Sequence, residues 1–275
     1  APHFSHRLVV IPANRWVIFC SGGIGLISAR RLTLEGAVVS GVYEINPTPS
    51  GLTRNIHQCL HDFDIPLHLS HTVTRVFGKD RLEAVEVCRV DESMKPIPET
   101  AERIDCDALI VSVGLIPENE IAESIGVTLD TRTKGPVVDA QLMTSVPGVF
   151  SCGNALHVND LVDFVSASGE LAGMNAARFA AAERDEKRFE VGNNLMYFVP
   201  QCLDLNADNS KVTYYFRSAK IFGKCRLSLY ADGKEIWKKA YPFLRPPEMK
   251  ELVLDMTKFD ISGDTALRWE IEVEE

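Results

Sequence analysis

The stretch from Trp16 to Glu44 constrains this chain more than any other. Trp16 to Phe19 reads as a short buried strand, and Gly22, Gly23 and Gly25 make a tight turn. Ile24 to Glu35 then carries a helical pattern closed by Gly36, and Ala37 to Tyr43 is a second apolar run ending in Glu44. A strand, a helix and a second strand in that order imply a parallel pair, because parallel neighbours need a crossover of about a dozen residues or more. The fold class expected is α/β: a Rossmann-like three-layer nucleotide-binding domain, followed by a small all-β, sandwich-like domain.

The turn "CSGGIGLIS" has the chemistry of an anion site. The first N–H groups of a helix lack partners within it, and the helix dipole adds positive potential there, so Gly22, Gly23, Ile24 and Gly25 are candidates to receive a pyrophosphate. In the G-x-G-x-x-G pattern the first glycine supplies the tight turn, and Cys20 stands in its place. Glu44 lies about twenty residues beyond the turn, where a carboxylate accepts a hydrogen bond from an adenosine ribose and repels a 2′-phosphate. This favours NAD over NADP. The plainer alternative for Glu44 is a surface glutamate that ends a strand.

Composition removes several classes. A net charge of −9 over 275 residues argues against nucleic acid or an anionic membrane as partner. No apolar run approaches the roughly 20 residues of a membrane span, and the opening residues do not read as a signal peptide, so a cytoplasmic location is expected. The seven cysteines are scattered and form no C-x-x-C pair, which leaves reduced, mostly buried thiols as the simplest reading. His57 and His61 at helical i, i+4 spacing, with Cys59, His68 and His71 nearby, have only a superficial metal-site pattern, and no metal ligand is assigned.

Further along, a helix is expected over 52–63, a short strand over 67–69, a hairpin turning at Gly78 to Asp80, and a buried strand in "CDALIVSVG". "PENEIAESIGV" reads as helix, "GPVVD" and "GVFSCGN" as short strands, and 161–184 as a long helix. The charged run "AAERDEKRFE" marks a boundary, after which period-two alternation takes over: Val212, Tyr214, Phe216; Leu227, Leu229; Leu267, Trp269, Ile271, Val273. Asp232-Gly233 is a hairpin turn, and Trp237 and Trp269 are core candidates. The domains expected are 1–112, the Rossmann-like domain; 113–188; and 189–275, a separate β-sandwich-like domain.

From about Asn14 to Ala182 the chain resembles the FAD-dependent pyridine nucleotide-disulfide oxidoreductases, in particular their thioredoxin-reductase-like members. The resemblance is carried by the turn above, by "DALIVSVGLIPEN" and above all by "TSVPGVFSCGN", which looks like the family's second flavin motif with Asn154 in place of the usual Asp. It implies that FAD and NAD are the cofactors, that 1–112 is the NAD-binding domain, and that 113–188 is a flavin-domain remnant, the C-terminal part of an FAD-binding domain. It also implies that Gly114 lies by the cofactors, that Gly153 and Asn154 meet the ribityl-pyrophosphate region, and that Leu161 and Val162 lie near the isoalloxazine carbonyl. The family's first flavin fingerprint would precede Ala1, so an N-terminal segment or a partner chain is expected to complete the FAD site. The redox-active cysteine pair is absent and hydride transfer demands no acid or base, so no catalytic residue is named. Cys152 beside the flavin motif reads as a buried thiol and His157 as a loop histidine that could lie near the ring. Two function classes stay open: part of a flavin-dependent oxidoreductase that moves hydride between NADH and FAD, or a redox-inert nucleotide-fold remnant serving as a binding or interaction module. The second substrate is not legible.

Overall fold

The computed structural model describes residues 13–180 and 183–273. The chain divides into two compact units, 1–114 and 115–275.

In the first unit β1 (Arg15–Phe19), β2 (Val38–Glu44), β3 (Leu67–Leu69) and β7 (Ala108–Val111) form a parallel sheet in the order β3-β2-β1-β7. Alternation along β1 assigns its two faces. Trp16 and Ile18 pack with Leu26, Ala29 and Leu32 of helix α1 (Gly23–Leu34), whereas Val17 packs with Tyr43, Val85 and Val87. The latter two belong to an antiparallel sheet of β4 (His71–Phe77), β5 (Ala84–Arg89) and β6 (Glu102–Asp105). The expected hairpin is thus present and gains a third strand. Since β2 and β7 lie on opposite sides of β1, the crevice at the carboxyl end of β1 is where an open α/β sheet receives a ligand, and the glycine-rich turn sits there.

Two expected elements of this unit come out differently. The helix over 52–63 divides at Leu60, whose φ of −116° is distorted from regular helix, into α2 (Thr53–Cys59) and a 3-10 turn, His61–Phe63. The strand in "CDALIVSVG" is only half-buried, since β7 closes one edge of the sheet.

In the second unit the helix in "PENEIAESIGV" shortens to α3 (Glu120–Ser124), and α4 runs only from Val162 to Ala177. "GPVVD" and "GVFSCGN" make isolated bridges, Leu129 to Pro136, Val138 to Thr144 and Met143 to Phe150, in place of strands. Beyond them β8 (Glu186–Val191), β9 (Leu195–Val199), β10 (Cys202–Asp204), β11 (Val212–Ser218), β12 (Cys225–Ala231), β13 (Lys234–Tyr241), β14 (Lys250–Leu254) and β15 (Leu267–Val273) form two sheets. Their orders are β10-β8-β15-β12-β13 and β14-β11-β9. The sheets share one core around Trp269, Tyr214, Phe198 and Phe216, with ring centroids of Phe198 and Trp269 stacked 4.3 Å apart. Asp232 and Gly233, at φ 49° and 78°, make the β12–β13 turn.

The charged run expected to mark a boundary holds a clasp. Arg184 Nη2 lies 2.6 Å from Asp139 Oδ2, and Asp139 is 1% exposed. Arg132 donates from its guanidinium to the carbonyls of Val191, Gly192 and Leu195. Val138, Leu142 and Leu156 share a small core with Tyr197 and Val199 of β9. The two halves of this unit are therefore joined by apolar and ionic contacts alike.

Candidate functional site

Gly22 is the N-cap of α1 in extended geometry, and no side chain caps the helix or places an acid in its first turn. The leading N–H groups are thus left for an anion, and Ile24 beside them is exposed. Gly25 is the tight point: a Cβ there would lie 2.7 Å from the Cys20 carbonyl oxygen, so only glycine lets the helix start this close to β1. Cys20 sits at φ 77°, the left-handed geometry that the first glycine normally supplies. Gly114 is at φ 100°, past the end of β7.

Glu44 is wholly buried, and both its oxygens are engaged. Oε2 accepts from the Ser21 N–H at 2.9 Å, the Ser21 hydroxyl at 2.6 Å and the Ser50 hydroxyl at 2.7 Å, with the Cys20 thiol at 3.5 Å. Oε1 accepts from the Asn46 N–H at 3.0 Å and its side-chain amide at 2.7 Å. Burial alone pushes this carboxyl up, yet the bonds from Ser21, Asn46 and Ser50 outweigh it and hold the group below its ordinary value. Cys20 is shifted the opposite way, by burial first and then by the Glu44 charge, which keeps it a thiol and a donor. The carboxylate therefore ties the glycine-rich turn to the loop after β2. Gly51 completes the contact, since a Cβ there would meet the Ser21 carbonyl at 2.6 Å. Ser21, Asn46 and Ser50 are not singled out in the sequence, where nothing shows that residues up to 29 positions apart will share one carboxylate.

In the second unit, Gly153 at φ 63° opens a 3-10 turn, and its N–H donates to Ser168 Oγ at 2.9 Å. Asn154 Oδ1 accepts from the Asn159 N–H at 3.1 Å, which orders the loop 154–159. Leu161 is the N-cap of α4, with no side-chain cap, and Leu161 and Val162 are exposed at 55% and 74%. One side of this turn thus carries a helix start with no side-chain cap beside apolar side chains, with Asp163 in the first turn. Cys152 is half-buried. His157, by contrast, is buried with Nδ1 lacking a partner among the described residues, and burial pushes its pKa down to about 4.

The histidines of the first unit fall into two groups. His57 and His61 bring their Nδ1 atoms to 3.0 Å, and His68 stacks on Tyr43 with centroids 4.6 Å apart. Among the described residues, no three His, Cys, Asp or Glu side chains converge on a point where a metal ion would fit. None of the helices described is long and apolar enough to cross a membrane.

Residues 12–177, more than half of the chain, match the family of pyridine nucleotide-disulphide oxidoreductases. The chain belongs to this family. Its members work with FAD and a nicotinamide nucleotide. A nitric oxide reductase FlRd-NAD(+) reductase of Salmonella paratyphi A is 27% identical over 95 residues, 34% of this chain and 24% of that protein. The thioredoxin reductase of T. acidophilum superposes with a TM-score of 0.51 at 25% identity, over 60% of this chain and 52% of that one. A FAD-dependent pyridine nucleotide-disulphide oxidoreductase from Desulfovibrio vulgaris, 18% identical, shares the fold over 88% of this chain and 59% of its own length, with a TM-score of 0.53. The chain therefore spans about a quarter of the curated relative it matches and little more than half of either solved structure.

Proposed function

We propose that this chain supplies the nicotinamide-nucleotide site and one wall of the flavin site in an NADH-linked flavin oxidoreductase. The observation that carries the reading is the uncapped N-terminus of α1 at the carboxyl end of β1, held in place by Glu44. Gly22, Gly23, Ile24 and Gly25 would bind the pyrophosphate of NADH, with Gly114 beside it, and Glu44 fixes the turn they belong to. Gly153, Asn154, Leu161 and Val162 would hold FAD, with the N-terminus of α4 facing the ring. The two cofactors, when bound, supply hydride transfer, and the residues of this chain bind and orient them. Ile116 and Ile121, exposed at 79% and 83%, support a further segment or partner chain packing against the second unit to complete the flavin site.

A second reading, a redox-inert fold kept for its surfaces, is favoured by the side chain of Cys20 at the first glycine position and by the saturation of Glu44, whose oxygens leave a ribose hydroxyl no open acceptor. One experiment separates them. The 275-residue chain is mixed with FAD, desalted, and titrated with NADH while its absorption spectrum is recorded. A retained flavin band that bleaches with NADH is the expected result. Saturable NADH binding without flavin would restrict the chain to the nucleotide half, and neither signal would favour the inert fold.

A further inference from the structure

Strand β11 alternates buried and half-buried residues along its whole length. Val212, Tyr214 and Phe216 point into the sandwich core, which leaves Tyr215 and Arg217 on the outer face of the sheet β14-β11-β9. On its β9 side that face is covered, whereas Glu251 and Val253 of β14 stay exposed. The ring of Tyr215 lies 5.5 Å from His157 and 5.4 Å from Phe164 of α4, and the ring of Tyr197 on β9 lies 5.7 Å from His157.

The Arg217 side chain is 11% exposed, and its guanidinium spreads over five acceptors. Nε donates to the Tyr197 hydroxyl at 2.9 Å. Nη1 donates to the carbonyls of Pro247 at 2.7 Å and Pro246 at 3.3 Å. Nη2 donates to the carbonyl of Val158 and pairs with Asp160 Oδ1. The other oxygen of Asp160 accepts the Met249 N–H at 2.8 Å. Residues 157–160 are thus gripped from one side by ring contacts, an ion pair and backbone bonds, all from the C-terminal sandwich. The next two residues, Leu161 and Val162, begin α4 and face outward.

From this geometry we infer that the sandwich is a brace for the flavin-facing turn, with Arg217 as the positioning residue that fixes the start of α4. The inference rests on the flavin reading of Leu161 and Val162 given above. A planar fork suits the task, since a lysine ammonium could keep the pair with Asp160 but could not also reach Tyr197 and the two proline carbonyls. Fixing the helix start in advance removes an ordering cost from any ligand group that accepts its N–H bonds.

The test compares the full 275-residue chain with its Arg217→Met, Arg217→Lys and Asp160→Asn variants. Amide hydrogen exchange is followed on peptides covering 153–165, with peptides of 15–44 as the control. Arg217→Met is expected to speed exchange at 157–163 by roughly tenfold or more with the control unchanged, and Arg217→Lys to fall between. Asp160→Asn, which leaves the other partners of Arg217 in place, is expected to loosen the same peptides and serves if Arg217→Met fails to fold. The same proteins are mixed with FAD and desalted, and the brace predicts lower retention or a displaced flavin band in each loosened variant. Unchanged exchange overturns the brace. Loosened exchange with flavin retention and band identical to wild type overturns the positioning role. A wild-type chain that retains no flavin defeats the flavin reading and the positioning role built on it, and that outcome is distinct from unchanged exchange.

Discussion

Ser21 and Glu44 meet through two hydrogen bonds, from hydroxyl and backbone N–H to the same carboxylate oxygen, at 2.6 and 2.9 Å. They lie 23 residues apart, at the ends of neighbouring parallel strands, and their contact turns a loose glycine-rich loop into a fixed one. The Ser50 hydroxyl and the Asn46 amide close the same carboxylate from the other side.

Glu44→Ala removes the acceptor for every one of these donors inside a buried loop. A loss of about 3 kcal/mol in urea unfolding is expected, against about 1 kcal/mol for Ser50→Ala, with or without nucleotide present. The pH dependence has a fixed sign. Since the folded carboxyl lies below its ordinary 4.5, its contribution is present above that value and is lost as pH falls through the folded value. An alanine variant as stable as wild type would refute the latch.

Cys20 holds φ 77° with a side chain. Cys20→Gly relieves strain of about 1 kcal/mol and adds a chain-entropy cost of similar size, so denaturant midpoints should change little. Cys20→Val places a β-branched residue in the same geometry and should cost about 2 kcal/mol or more. Equal stability of the glycine and valine variants would show that the turn relaxes to a different backbone.

Gly25→Ala sets a Cβ against a backbone oxygen at 2.7 Å, a contact that no rotamer change can relieve. The helix has to move off β1, at a cost of about 1–3 kcal/mol and with loss of NADH binding. Gly36→Ala provides the contrast: at φ 90° with nothing within 4 Å, it should cost about 1 kcal/mol through strain alone and leave the nucleotide site intact. Thermal melts and an NADH titration of both variants check this.

His157 is neutral in the folded chain down to about pH 4, whereas an unfolded histidine takes its proton near 6.5. The unfolded state therefore binds more protons between these values, and stability should fall as pH drops through the window by about 1.4 kcal/mol per pH unit, about 3 kcal/mol in all. His157→Phe, which cannot titrate, should flatten that part of the curve in the second unit. A variant with the wild-type slope would assign the effect to other groups.

Much of the first unit was legible because its signals are local. The alternation of β1, the glycines of the turn and Gly36 act within a few residues of themselves, and periodicity reports such features directly. Helix ends were less legible: α4 stops at Ala177 although the apolar and alanine-rich pattern runs on, and the run "GPVVD" pairs only through isolated bridges. In both places propensity alone does not set where regular structure ends.

By itself the sequence determined the βαβ unit, the glycine-rich turn, the acid at the end of β2 and the alternation of the sandwich strands, because each follows from the spacing of residue types along a single element. Only the tertiary structure decided what those residues touch. It closed Glu44 on Ser21, Asn46 and Ser50, and it turned the outer face of β11 toward residues 157–160. The same strand pattern fits a solvated face and a docked one equally well. The choice lies in groups 57 to 59 positions apart, such as Asp160 and Arg217, whose meeting no local period encodes.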